Sequence, residues 1–116
     1  METIVGISRD PQYGPIVMFG LGGVLVEVLE DVALRICPIN EADAREMIRD
    51  IKGFKLLQGF RGRPKADVEA IVSVLVRLSQ LAMDLEENIS EMDINPLLVF
   101  PEGKGVIAID SRIVLR

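Results

Sequence analysis

Two apolar, β-branched runs separated by a four-residue turn constrain this chain more than any other feature. The first is Met92-Asp93-Ile94-Asn95-Pro96-Leu97-Leu98-Val99-Phe100 and the second is Gly105-Val106-Ile107-Ala108-Ile109-Asp110-Ser111-Arg112, with Pro101-Glu102-Gly103-Lys104 between them. The pattern predicts an antiparallel hairpin. A turn centred between Glu102 and Gly103 sets its register: residues whose numbers sum to 205 face each other, so Asn95 meets Asp110 and Asp93 meets Arg112. Directly opposed residues hold their Cβ atoms about 5 Å apart, close enough for an amide carbonyl and a carboxylate to share one small cation. Such hard oxygens suit Mg²⁺, which takes one or two protein oxygens and completes its shell with water and phosphate. The bland alternative is that Asn95 only ends a strand before Pro96, while Asp110 and Arg112 are edge charges of the kind that discourage aggregation.

Upstream, Thr3 to Arg9 alternates around Ile4, Val5 and Ile7 and reads as a strand ending at Arg9-Asp10-Pro11. Gln12-Tyr13-Gly14-Pro15 leads into Ile16-Val17-Met18-Phe19, so the first two strands are expected to pair antiparallel across a long loop. Gly20-Leu21-Gly22-Gly23 interrupts, Val24 to Leu29 continues apolar around Glu27, and Val32 to Ile39 is a further strand candidate. Asn40 is a fitting N-cap for a helix with Ala44, Met47, Ile48 and Ile51 on one stripe and Gly53 as its stop. A second helix starts near Asp67, with Val68, Ile71, Val72, Leu75, Leu78, Ala82 and Leu85 at helical spacing. Ala70, Val74 and Leu81 widen its apolar arc, which implies burial against a further element or against a partner. Strands, two helices and a closing hairpin indicate an α+β fold, a mainly antiparallel sheet with two helices on one face.

At 116 residues the chain is expected to form one domain over residues 1–116. A net charge of −5 argues against a nucleic-acid partner, which would need a basic footprint. The longest apolar run, Ile16 to Val26, has 11 residues where a spanning helix needs about 20, and the start lacks a basic leader region. A cytoplasmic protein without a membrane span is the expectation. The chain contains one cysteine, Cys37, set in an apolar run as a small core residue. It contains no histidine, so any step that needs imidazole must borrow it from elsewhere.

Four further features are candidate sites. Gly20, Gly22 and Gly23 could let a backbone approach phosphate, or could simply form a turn or bulge. The third glycine of a dinucleotide fingerprint is replaced by Leu25, and no phosphate-loop Gly-Lys-Ser/Thr follows. Glu27 stands alone among apolar residues and needs either a cation or an arginine such as Arg35 or Arg9. Arg9 offers a fixed fork of donors for phosphate, or a surface ion pair with Asp10 or Glu2. Gly59-Phe60-Arg61-Gly62-Arg63-Pro64 places Arg61 and Arg63 on a glycine-rich loop that could meet phosphate or the CoA end of a substrate, or stay solvated.

Asp93-Ile94-Asn95-Pro96-Leu97 followed by Ala108-Ile109-Asp110 resembles the metal-binding end of the ATP-grasp domain in ADP-forming acetyl-CoA synthetases. It is also similar to the nucleotide-binding subunit of succinyl-CoA synthetase. Arg9-Asp10-Pro11, Gly14-Pro15, Phe19 to Gly23 and Glu27 resemble the same family, as does the Gly-x-Arg-Gly turn at Gly59 to Gly62. The resemblance implies that Asn95 and Asp110 ligate the Mg²⁺ that bridges ATP or ADP phosphates. It further implies that Glu27 and Arg9 hold phosphate charge, and that Gly20, Gly22, Gly23 and Arg61 contact the nucleotide. It reaches only the C-terminal lobe of the ATP-grasp fold. The N-terminal lobe with its phosphate-binding lysine, and a CoA-binding subunit or domain carrying a phosphohistidine, are therefore the implied partners in an oligomer. The implied reaction interconverts acyl-CoA, ADP and phosphate with carboxylic acid, CoA and ATP, and the chain alone would be inactive. The competing expectation is a non-catalytic assembly domain derived from such a lobe.

Overall fold

The computed structural model describes residues 1–22, 28 and 30–116. Among these, six strands form one antiparallel sheet: β1 (Glu2–Asp10), β2 (Gly14–Leu21), β3 (Val32–Ile36), β4 (Ile89–Val99), β5 (Val106–Ala108) and β6 (Ser111–Leu115). Their order is β3-β2-β1-β4-β5, with β6 also paired to β4. Among the described residues the helices are α1 (Glu41–Asp50), the short α2 (Phe54–Leu57), a 3₁₀ turn (Phe60–Gly62) and α3 (Val68–Asp84). The expected α+β architecture is observed, with α2 added to the two expected helices.

Strand alternation places Val5 and Ile7 of β1 and Val17, Phe19 and Leu21 of β2 in the core, all at most 5% exposed. They meet Ala44, Met47 and Ile48 from α1 and Ile71, Val72, Leu75, Leu78 and Ala82 from α3. The wide apolar arc of α3 needs no outside partner to explain it, since Val74 and Leu81 pack half-buried against the chain's own core. Cys37 is buried in the same cluster.

Side chains cap both long helices at their N-termini, Asn40 as expected. The Asn40 side chain accepts from Asp43 N at 2.8 Å, and Asn40 N donates back to Asp43 Oδ2 at 3.0 Å. Asp67 Oδ1 accepts from Ala70 N at 3.1 Å, while its Oδ2 accepts from Gly105 N at 2.8 Å, tying the start of α3 to the hairpin. Gly53 does not stop α1, which ends at Asp50 with Ile51 extended. It opens α2 instead, where a Cβ would lie 2.6 Å from Leu21 Cδ1. Buried Asp31 accepts from Lys52 N and Gly53 N at 2.6 and 2.7 Å, which fixes that corner.

Two strand features differ from expectation. The β1–β2 connection is a tight turn, because Asp10 pairs with Gly14. Asp10 Oδ1 accepts from Gln12 N and Tyr13 N, and Gly14 takes φ +82°, so a side-chain turn replaces the long loop. β3 ends at Ile36 instead of Ile39, and the Cys37–Pro38 peptide that follows is cis. Of the apolar run Val24 to Leu29, only Val28 lies among the described residues. Among the described residues, no helix is long and apolar enough to cross a membrane.

Candidate functional site

The hairpin adopts the register read from its turn. Lys104 N donates to Pro101 O at 2.8 Å and Phe100 N to Gly105 O at 3.0 Å, with Gly103 at φ +83° and Gly105 at φ +87°. Leu97 then pairs with Ala108 on β5, and Asp93 with Arg112 on β6. Between those two segments Asn95 N donates to the Asp110 carbonyl at 3.0 Å, and Ile109 N donates to the Pro96 carbonyl at 3.0 Å. Asn95 and Asp110 are thus opposed and exposed.

The other flank of β4 explains why this point is special. β1 pairs Thr3 with Leu97 and Val5 with Ile94, so Asn95 and Pro96 together stand against Ile4. Two residues opposite one form a bulge, a device that bends a strand and re-aims side chains at functional sites. Ile4 pairs on its other side with Gly20 of β2. The sheet therefore brings Gly20, Ile4, Asn95 with Pro96, and Asp110 into one row across successive strands.

Beside that row, on the sheet face away from the helices, lies a cavity of about 170 Å³ lined by Ile4, Gly6, Ser8, Met18, Asp93 and Arg112. Gly6 keeps its floor low: a Cβ there would come within 3.1 Å of the Met92 carbonyl oxygen and 3.5 Å of Asp93 Cβ. Arg112 donates from Nη2 to Glu91 Oε1 at 2.9 Å and from Nε to Asp93 Oδ2 at 3.4 Å. Those carboxylates, Glu91 foremost, push the guanidinium pKa above its ordinary value. The register rule anticipates the Asp93 contact. Glu91 lies two residues along the same strand and hence on the same face, a signal that the sequence reading did not use.

The remaining candidates are placed differently. Gly22 donates its N–H to the Glu2 carbonyl at 2.9 Å, and a Cβ there would be 3.3 Å from Glu2 Cβ. Its glycine thus serves close approach of the chain to β1. Gly23 and Glu27 lie outside the described residues. The two arginines considered as partners of Glu27 are engaged with other residues: Arg35 with Glu46 and Asp50, Arg9 with Glu86. Arg9 sits five positions along β1 from Ile4, roughly 16 Å away at strand rise. It pairs with neither Asp10 nor Glu2 but donates from Nη1 to the Glu86 carbonyl at 2.6 Å, which also accepts from Arg116 at 3.2 Å. Arg61 is exposed, holds φ +55° in the 3₁₀ turn and stacks 5.5 Å over the Phe60 ring. Its loop meets the sheet at the hairpin turn, through the Ala66–Pro101 bridge.

An amide and a carboxylate are a chemically fitting pair for Mg²⁺. Mg²⁺ is commonly held by one or two protein oxygens and completes its shell with water and phosphate.

Comparison with known proteins gives a consistent picture. The family described as the ATP-grasp domain matches residues 1–115. The β subunit of acetate–CoA ligase [ADP-forming] II from Pyrococcus furiosus is 50% identical over 115 residues, covering 99% of this chain and 49% of the relative. Acetate–CoA ligase [ADP-forming] I from Archaeoglobus fulgidus is 51% identical over 114 residues, covering 98% of this chain and 16% of the relative. A solved structure of the dinucleotide-forming acetyl-coenzyme A synthetase 1 of Ca. Korarchaeum cryptofilum, in complex with coenzyme A and Mg-AMPPCP, superposes with a TM-score of 0.93. It is 50% identical, covering 99% of this chain and 53% of that one. The chain thus spans about half, or less, of the relatives it matches.

Proposed function

From the premise that the chain belongs to the ATP-grasp domain family, we propose that it is the nucleotide- and Mg²⁺-binding lobe of an ADP-forming acid–CoA ligase. The observation that carries this reading is the opposition of Asn95 and Asp110, joined main chain to main chain at 3.0 Å in the break between β5 and β6. The Asn95 amide oxygen and an Asp110 carboxylate oxygen would hold Mg²⁺ bound to the phosphates of ATP or ADP. A bound Mg²⁺ supplies charge neutralisation for phosphoryl transfer. The row through Ile4 to Gly20 underlies the nucleotide, with its phosphates at the Asn95–Asp110 end and Arg61 contacting from the loop beside the hairpin turn; Gly23 and Glu27, the other phosphate candidates, lie outside the described residues. Arg9, the other candidate for phosphate charge, is bonded to Glu86 beside the β1–β2 turn, well along β1 from the row.

The reaction proposed is the interconversion of acyl-CoA, ADP and phosphate with carboxylic acid, CoA and ATP. Its phosphohistidine belongs to another chain or domain, since this sequence has no histidine. The partners are the N-terminal ATP-grasp lobe and the CoA-binding unit, in a cytoplasmic assembly. Resemblance to solved relatives bound to coenzyme A and to Mg-AMPPCP supports this reading.

The test is to titrate Mn²⁺, a paramagnetic substitute for Mg²⁺, into isotope-labelled protein with and without ADP. Amide broadening centred on Asn95 and Asp110 and strengthened by ADP is expected. Diffuse broadening over acidic surface residues, unchanged by ADP, would overturn the reading.

A further inference from the structure

The opposition of Asn95 and Asp110 requires β6 to lie beside β4 in one register. A slip of a single residue would carry Asp110 past Asn95 and move the strand's side chains to the other face. Registers are ordinarily fixed by burying one face of each strand. β6 lacks that constraint: Ser111 and Arg112 are exposed, Ile113 and Leu115 are 51% and 72% exposed, and Val114 is half-buried. The ladder near the pair is also thin. β5 has 3 residues and β6 has 5, Ile109 and Asp110 belong to neither strand, and Pro96 has no N–H to contribute.

Side chains supply what burial does not. Glu91 and Asp93 stand two residues apart on β4 and share a face. Arg112, paired with Asp93 in the ladder, reaches both carboxylates with different nitrogens of one planar fork. A one-residue slip would put Arg112 on the opposite face from both. Arg112 lies two residues after Asp110, and Asp93 two before Asn95, so this three-residue cluster grips the strand pair right beside the proposed cation ligands.

We infer that Arg112 is the positioning residue of the cation site, clamping β6 to β4 through Glu91 and Asp93 so that Asp110 stays opposite Asn95. The metal part of this inference rests on the function proposed above. The clamp and a simple charge effect differ in sign. Removing a nearby positive charge and uncovering two carboxylates would strengthen cation binding. Removing a clamp weakens it.

The experiment compares the full chain as wild type, Arg112→Ala and Arg112→Lys, with Arg45→Ala as an ion-pair loss on the helical side. Scalar coupling across the Asn95 N–H to Asp110 carbonyl hydrogen bond reports register, and Mn²⁺ titration in the presence of ADP reports the site. In Arg112→Ala the coupling should vanish and Mn²⁺ binding should weaken about tenfold, as losses of groups that orient metal ligands do. Arg112→Lys should recover part of both, Arg45→Ala should change neither, and the Val17 and Phe19 amides should stay in place throughout. Retained coupling in Arg112→Ala overturns the clamp whatever the metal does, and so does Mn²⁺ binding that is unchanged or tighter. Absence of localised Mn²⁺ broadening in the wild type overturns the cation-site reading instead, and the coupling still decides the clamp.

Discussion

The two halves of the sheet are held by different forces. β1, β2 and the helices share a dry interior in which Val5, Val17, Phe19, Ile71 and Leu75 are fully buried. Beyond β4, whose Ile89, Leu97 and Val99 are buried, the β5–β6 edge has little interior of its own: Ile107, Ile109, Ile113 and Leu115 are each more than half exposed. Its geometry comes from a turn with two left-handed glycines, a bulge at Asn95–Pro96 and the Arg112 cluster. Burial fixes shape to within the tolerance of packing, whereas hydrogen bonds and register fix which atoms face each other. The candidate cation ligands sit in the half governed by the second kind of force.

That contrast can be broken by substitution. Leu75→Ala should cost about 2–5 kcal/mol, the range for emptying a fully buried leucine site, measured by chemical denaturation. A loss comparable to that of a surface change would mean the interior is looser than described. Asp67→Ala removes the cap of α3 and its bond to Gly105 together, and should cost about 1–3 kcal/mol. Because Asp67 joins the two halves, amide exchange should also quicken at Gly105 and Val106; unchanged exchange there would show the hairpin to be independent of the helix.

Asp110→Asn should leave unfolding stability within about 0.5 kcal/mol, as exposed substitutions generally do. The same variant should lose localised Mn²⁺ broadening, separating function from stability at this edge. A large stability loss would contradict the comparison.

The smallest effect concerns Glu69, whose carboxyl pKa is lowered chiefly by its hydrogen bond to Arg45. A folded-state value below the unfolded one means the contribution is present above the ordinary glutamate range and is lost as pH falls through the lowered value. Glu69→Gln should therefore flatten the acid limb of a melting-temperature profile slightly, and added salt should shrink the difference between the variants. A steeper acid limb in the variant would reverse the assignment.

What the sequence made legible follows the same division. Periodicity located α1 and α3, and Asn40 was legible as the cap of the first, because the apolar stripe and the capping chemistry are local. The hairpin register was legible because one turn indexes every pair beyond it. Less accessible were features created by side-chain bonds within a turn or by distant contacts. Asp10 shortens the β1–β2 connection through its own carboxylate. Arg9 finds Glu86 only because the end of α3 returns to that corner. The bulge arises from pairing Asn95 and Pro96 with a strand more than 90 residues away, a relation that no window of sequence contains.

The row from Gly20 through Ile4 and Asn95–Pro96 to Asp110 also acts as a gauge. Neighbouring strands lie about 4.8 Å apart, so its two ends are separated by three strand spacings, roughly 14 Å. This interval is set by hydrogen-bond pitch and owes nothing to side-chain rotamers. Loops around it can lengthen and the outer surface can change without altering it. To reset the distance, the chain would have to gain or lose a strand.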